Sequence, residues 1–281
     1  MNIFQKLNKE ELIDMFDILE NTFKEFNIDY YVIGALARDI IITGKYDISI
    51  PRSTRDVDIA VLIPYYKVFD NLKKCLVEKG FKEHITKGYR LFYNQSIILD
   101  LFPFGDIENK DNVVKIYGRE IHNLSVFGFN ELKGHTEIIE YSANKSFKVT
   151  SLPAICVLKL IAWNDRPSDR LKDIDDIVFI ISKYFDIYYE DICNYNYDLL
   201  NNIFDPDTVS ARSLGRDIAG IIISSLKVKD AILNILKENT NDVHSSKLAV
   251  IMCSFNNKYV EDNFNILAEL LKGIKERLNY L

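Results

Sequence analysis

The apolar residues of this chain change their spacing near residue 150, and that change limits the folds open to it. Before it, short runs such as "DYYVIG" (29–34), "DIAVLI" (58–63) and "SIILDLFPF" (96–104) read as buried strands bounded by polar turns. After it, segments at about 151–164, 168–184, 210–226, 228–238, 243–255 and 258–279 carry apolar residues at helical spacing. The pattern predicts an α+β chain, with a mixed-sheet head over 1–150 and a helical-bundle domain over 151–281.

Within the head, "KEELIDMFDILENTFKEF" (9–26) predicts an amphipathic helix through Leu12, Met15, Phe16, Leu19, Phe23 and Phe26. Asn8 is its expected N-cap, with Glu11 as capping-box partner. "ALARDIIITG" reads as a helix ended by Gly44, and "YYKVFDNLKKCLVEKG" as one closed by Gly80. "GYRLFYNQSIILDLFPF" reads as two strands around "NQS", and "REIHNLSVFGF" as another.

Composition removes several classes. With 281 residues, 48% hydrophobic and 27% charged, the chain has material for a large core and little for long disorder. A net charge of −6 argues against a general nucleic-acid coat, although a local basic groove is compatible with it. The start "MNIFQKLNKEEL" lacks an apolar signal core, and no apolar run reaches the ~20 residues a bilayer requires. Cys75, Cys156, Cys193 and Cys253 are scattered, as are His84, His122, His135 and His244. Neither a disulfide framework nor a zinc site is expected, and the chain reads as a reduced, cytoplasmic protein with no membrane association.

Chemistry concentrates in "RSTRDVDIAVLI" (52–63). Asp56 and Asp58 stand at i and i+2 of a predicted strand, so both point to one face, where their repulsion calls for a cation. A third carboxylate, Asp100, sits inside the apolar run 97–102, and a buried acid without a partner is strongly destabilising. Three such oxygen donors facing one another across a sheet suit Mg²⁺ or Mn²⁺. The alternative for Asp56 and Asp58 is a turn residue followed by a charge that guards a sheet edge.

These residues resemble the polymerase-beta-like nucleotidyltransferase superfamily: a glycine opening a helix after a strand, D-x-D on the next strand, and a third Asp further on. The closer resemblance is to the AbiEii/AbiGii-type toxin nucleotidyltransferases. In those, R-x-T-x-D-h-D precedes a Lys-containing helix and a K-D-x-x-D-h element, as in "LPAICVLKLIAWNDRPSDRLKDIDDIVFI" here. The resemblance spans about residues 29–184 and implies a nucleotidyltransferase head. It implies metal on Asp56, Asp58 and Asp100, and triphosphate contacts from Gly34, Ala35, Arg52, Ser53, Thr54, Arg55 and Lys159. The usual glycine pair is Gly34-Ala35 here, so the hydroxyl often found at the second position is lacking.

Lys159 lies in the apolar helix "AICVLKLIAW", where it either reaches water along its stem or meets a phosphate as a point charge. Asp173 and Asp176 share a helical face at i and i+3. By resemblance they are catalytic or orient Lys159; otherwise they are acids in a first turn capped by Ser168. Arg166, Arg170 and Lys172 are candidates for phosphate or RNA contacts, and Trp163 and the aromatics of "YGREIHNLSVFGF" for base stacking or core.

The resemblance implies Mg²⁺-dependent transfer of NMP from an NTP to an acceptor. That acceptor is expected to be RNA, a tRNA 3′ end, with the chain acting as the toxin of a toxin–antitoxin or phage-defence pair and meeting a cognate antitoxin. The alternatives are a small-molecule acceptor, as in the aminoglycoside nucleotidyltransferases, and a nucleotide-binding module with weakened catalysis.

Overall fold

The computed structural model describes residues 2–50, 54, 56–200 and 204–280. The chain is mixed α/β and divides into two compact units, Met1–Ser151 and Leu152–Leu281. In the first run α1 (Ile3–Lys6), α2 (Leu12–Glu25), β1 (Tyr30–Ile33), α3 (Gly34–Asp39), β2 (Asp56–Leu62) and α4 (Tyr66–Glu78). Then follow β3 (Lys82–Glu83), β4 (Arg90–Tyr93), β5 (Ile97–Phe104), β6 (Val113–Ile116), β7 (His122–Ser125), α5 (Phe129–Leu132), β8 (Thr136–Ser142) and β9 (Lys145–Thr150).

Seven strands form one mixed sheet in the order β3-β4-β5-β2-β1-β9-β8, and β6 and β7 form a separate ribbon. The pairs β2/β5 and β1/β9 are parallel and the rest antiparallel. β2 is therefore central, which explains why "IAVLI" is apolar on both faces beyond its two acids. The sheet's β9–β8 end is held by an aromatic cluster, in which Phe16 stacks on Phe147 at 4.5 Å and Phe4 lies 5.1 Å from Phe16.

Local chemistry corrects two expectations for the head. Asn8 does not cap α2, which begins at Leu12 with Glu11 as its cap residue. Asn8 instead takes a left-handed φ of 53° and ends the short helix α1, which carries its own capping box of Asn2 and Gln5. Gly44 does not end a helix in a left-handed turn either. It lies within a π-helical turn, Ile40–Lys45, that continues α3. A Cβ at Gly44 would lie 2.4 Å from Ile3 Cγ1, so any larger residue there would have to displace the Ile3 side chain.

The second unit contains α6 (Leu152–Asp165), α7 (Leu171–Ile187), α8 (Tyr189–Tyr195), α9 (Pro206–Ile222), α10 (Leu226–Asn239), α11 (Lys247–Asn256) and α12 (Val260–Tyr280). Helix α7 starts three residues later than the spacing suggests, with Arg170 rather than Ser168 at its cap position. The break after α9 falls at residues 223–225, because Ser225 accepts from the Val228 N–H and starts α10. No helix among the described residues is long and apolar enough to cross a membrane.

Helices α9 and α12 cross at glycine contacts. A Cβ at Gly215 would lie 2.2 Å from the Leu270 carbonyl oxygen, and one at Gly273 2.1 Å from that of Arg212. Around this crossing Arg216 Nη2 reaches Glu276 Oε2 at 2.9 Å and Asp198 Oδ2 at 2.6 Å. Those carboxylates, Asp198 first, hold the Arg216 guanidinium above its ordinary range. Gly220, also in α9, faces open space. We therefore expect Gly215→Ala and Gly273→Ala each to destabilise the chain by about 1–3 kcal/mol through overpacking. Gly220→Ala should be neutral or stabilising by up to ~1 kcal/mol, since alanine is the better helix former. Thermal melts of the three variants check this, and equal midpoints for Gly215→Ala and Gly220→Ala would refute the close crossing.

Candidate active site

The site starts at the turn from β1 into α3. Gly34 has φ of +72°, a conformation that side chains disfavour, and a Cβ there would lie 2.5 Å from Asp58 Oδ2. Ile33 pairs with Asp58 across the antiparallel β1/β2 ladder, so the glycine turn and the second acid of D-x-D are neighbours by register. Glycine thus lets the backbone close on a carboxylate. Ala35 follows as the second residue of α3 and is half-buried.

The parallel register of β2 and β5 sets Asp58 beside Asp100, with Asp56 beside Ile98. On the other side of β5, Arg90 of β4 pairs with Asp100. Paired residues share a sheet face and alternate residues repeat it, so Asp56, Asp58, Asp100 and Arg90 all lie on one side. The three acids read from the sequence are brought together. Asp100 is buried, and its partner is a guanidinium: Arg90 Nε donates to Oδ1 at 2.7 Å and Nη2 to Oδ2 at 2.6 Å. Such a fork matches both carboxylate oxygens at once. The hydrogen bond to Asp100 is the chief cause that holds Arg90 above its ordinary range, with Asp56 contributing at longer reach.

No motif singles out Arg90, yet the sequence carries a signal for it. Arg90 and Asp100 are ten residues apart, and the β4/β5 hairpin that joins them is centred on Gln95. Equal spacing from that turn puts them opposite each other.

Asp56 enters β2 through Thr54. The Asp56 N–H donates to Thr54 Oγ1 at 3.1 Å, and the buried ammonium of Lys9 donates to the Thr54 carbonyl oxygen. A cavity of about 380 Å³ opens here, with Lys9, Glu11, Thr54, Asp56 and Ser96 among its walls. Arg52, Ser53 and Arg55 lie outside the described residues.

Do these residues fit a divalent metal? Among the described residues no three His, Cys, Asp or Glu side chains stand as a ready cage. Mg²⁺ needs fewer: it is commonly held by one or two carboxylates together with substrate phosphates. Asp56 and Asp58, half-exposed on one sheet face, fit that role. Both oxygens of Asp100 are engaged by Arg90, so Asp100 could join only when that pair opens.

In the helical unit, Lys159 is 7% exposed, within a helix buried on nearly every side. It does not reach water along its stem. Its ammonium sits 2.9 Å from Asp173 Oδ1 and 2.5 Å from Asp176 Oδ2, while Arg170 approaches Asp173 at 3.8 Å. Burial works to lower the Lys159 pKa, but the two carboxylates, Asp176 foremost, outweigh it and hold the group above its ordinary range. Trp163 is buried core, as is Phe129, and neither presents a face for a base; Tyr117 is exposed. Arg166 pairs with Asp165 at 3.3 Å on the surface, and Lys172 is exposed.

Removing the cation alone strands two acids. Lys159→Met should destabilise the protein by about 3–5 kcal/mol at pH 7, and adding Asp176→Asn should recover part of the loss. The raised Lys159 pKa contributes stability that is complete below pH 10.5, its unfolded value, and is lost as pH rises through the folded pKa. Urea unfolding across pH 7–12 should show this loss in the native chain and not in the double variant. Additive single and double effects at pH 7 would refute the buried triad.

No protein-family profile matches the chain, and no curated protein matches it. Several solved structures are similar at low identity. The lincomycin-bound lincosamide antibiotic adenylyltransferase LnuA is 20% identical, covering 50% of this chain and 80% of that one, with a TM-score of 0.32. The Thermotoga maritima CCA-adding enzyme complexed with tRNA is 12% identical over 99% and 85% of the two chains, with a TM-score of 0.35. The Bradyrhizobium diazoefficiens CD-NTase CdnG in complex with GTP is 11% identical over 96% and 86%, with a TM-score of 0.29. Likenesses this distant carry no weight for function, which rests on the residues themselves.

Proposed function

We propose that the chain is a nucleotidyltransferase, moving an NMP from an NTP to an acceptor hydroxyl with pyrophosphate as leaving group. The observation that carries this reading is the convergence of Asp56, Asp58 and Asp100 on one sheet face, with the Gly34 backbone closed onto Asp58. A structural role does not account for Asp58 beside Asp100 on central strands with Asp56 on the same face, since like charges there oppose folding.

In this reading Asp56 and Asp58 hold Mg²⁺ or Mn²⁺, which when bound neutralises triphosphate charge and polarises the phosphorus under attack. The backbone N–H groups at Gly34 and Ala35, with Ser53, Thr54, Arg52 and Arg55, seat the triphosphate. Arg90 is its competing partner. A phosphate offers the same two-oxygen match as a carboxylate, so an arriving nucleotide draws the guanidinium from Asp100. Asp100, once freed from Arg90, would be available as a further ligand for the metal and as the acceptor of the proton from the acceptor hydroxyl. In the transfer, the acceptor oxygen bonds to the α-phosphorus and the bond from that phosphorus to pyrophosphate breaks. The resemblance also assigns Lys159 to a phosphate contact, and in this reading Asp173 and Asp176 are the residues that orient its ammonium.

For the acceptor, the R-x-T-x-D-h-D and K-D-x-x-D-h resemblance favours RNA, a tRNA 3′ end, with a toxin role and a cognate antitoxin. A small-molecule hydroxyl is the rival. Incubation with each labelled NTP, Mg²⁺ and total RNA should place label in the RNA fraction. Asp56→Ala/Asp58→Ala should lower the rate at least about a thousandfold, the scale lost when electrostatic stabilisation of a transition state is removed. Label confined to small molecules refutes the RNA acceptor. No label anywhere, with a melting curve that Mn²⁺ leaves unchanged while NTP is present, refutes the transferase reading and favours a nucleotide sensor or protein-binding module.

A further inference from the structure

Away from the three acids, the β3–β4 hairpin loop and the β6–β7 loop meet backbone to backbone. A Cβ at Gly88 would lie 2.9 Å from the Tyr117 carbonyl oxygen, and one at Gly118 3.2 Å from that of Thr86. These loops and α4 line a cavity of about 380 Å³, whose walls include Lys73, Glu83, His84, Thr86, Tyr117 and Arg119.

Lys73 is the informative residue. It is only 7% exposed, yet its ammonium lies 3.6 Å from Glu83 Oε1 and 4.0 Å from Asp70 Oδ1, both beyond hydrogen-bond length. It also lies over the Phe69 ring, 5.3 Å from its centre. A buried ammonium held so loosely is unfavourable unless an acceptor comes to it. Glu83 and Asp70 are more than half exposed at the side chain, so water competes for both. Arg119, at the same cavity, is exposed and makes no ion pair with a described residue. His84 Nδ1 accepts from the Thr86 and Lys87 N–H groups at 3.1 Å, which leaves the ring's other nitrogen to carry the proton. The Tyr117 ring is 61% exposed and meets Tyr66 edge-on at 5.7 Å.

We propose that this cavity is a second anion site, taking the phosphate of a phosphate ester that carries a nucleobase, either a free nucleotide or an RNA end. Lys73 and Arg119 bind the phosphate, Tyr117 offers the base a face, and Glu83 holds Lys73 when the site is empty. The site shares no residue with Asp56, Asp58 or Asp100 and needs no metal.

Calorimetry in EDTA, on the Asp56→Ala/Asp58→Ala chain, separates this site from the proposed catalytic one. The probes are inorganic phosphate, AMP, and a trinucleotide RNA with and without a 5′-phosphate. Phosphate and AMP should bind, and Lys73→Met should weaken them about tenfold or more, as loss of a charge-assisted hydrogen bond does. Arg119→Ala, a surface change that spares the fold, should weaken them several-fold, whereas Glu83→Gln should tighten them by removing the competing carboxylate. Tighter binding of AMP than of the phosphorylated trinucleotide assigns the site to free nucleotides; the reverse assigns it to RNA ends. The proposal is overturned if no phosphate-bearing probe binds at millimolar concentration. It is equally overturned if Arg119→Ala and Glu83→Gln leave the affinities unchanged, whether or not Lys73→Met folds.

Discussion

The head is organised around a repulsion. Asp58 and Asp100 are register partners on parallel strands at the middle of a seven-stranded sheet, where carboxylates would push the strands apart. Arg90 answers part of that repulsion from the next strand, through both oxygens of Asp100. Gly34 fixes the other side, because only a residue without Cβ lets the β1–α3 turn come so near Asp58. The sheet thus tolerates its acids because two neighbouring elements are shaped around them. Asp56, at the strand's open end, has no such enclosure and stands at a cavity instead.

The helical unit treats buried charge the same way. One lysine within an apolar helix is matched by two acids a helical turn apart, so burial of three charges becomes possible at a single place. A pair would leave either the cation or its environment less well matched, given the three N–H donors of an ammonium.

Much of this was legible from residues alone. The acids Asp56, Asp58 and Asp100 declared themselves because charge at those positions conflicts with the apolar strands around it. Asp173 and Asp176 did so through i, i+3 spacing, which a helix turns into proximity. Arg90 was overlooked because an arginine at the start of an amphipathic strand is unremarkable until hairpin register is drawn. Asn8 misled for a different reason: asparagine serves equally as a helix entry and as a left-handed exit, and only the competing capping box of Asn2 and Gln5 decides which. Gly44 and Gly215 were opaque, since the sequence does not say which backbone or side chain will press against a missing Cβ.

The crossing of α9 with α12 also bears on how the chain is made. Gly215 finds its partner surface at Leu270 and Gly273, close to sixty residues further along. At about 5–20 residues per second of synthesis, α9 waits several seconds with that face unsatisfied, and contacts this distant in sequence slow folding further. The helical unit therefore completes late, when its last helix leaves the ribosome, whereas α2 and the β1–β2 pair can assemble early. During that interval the nascent chain presents an exposed apolar helix, the feature that chaperones bind and that aggregation exploits.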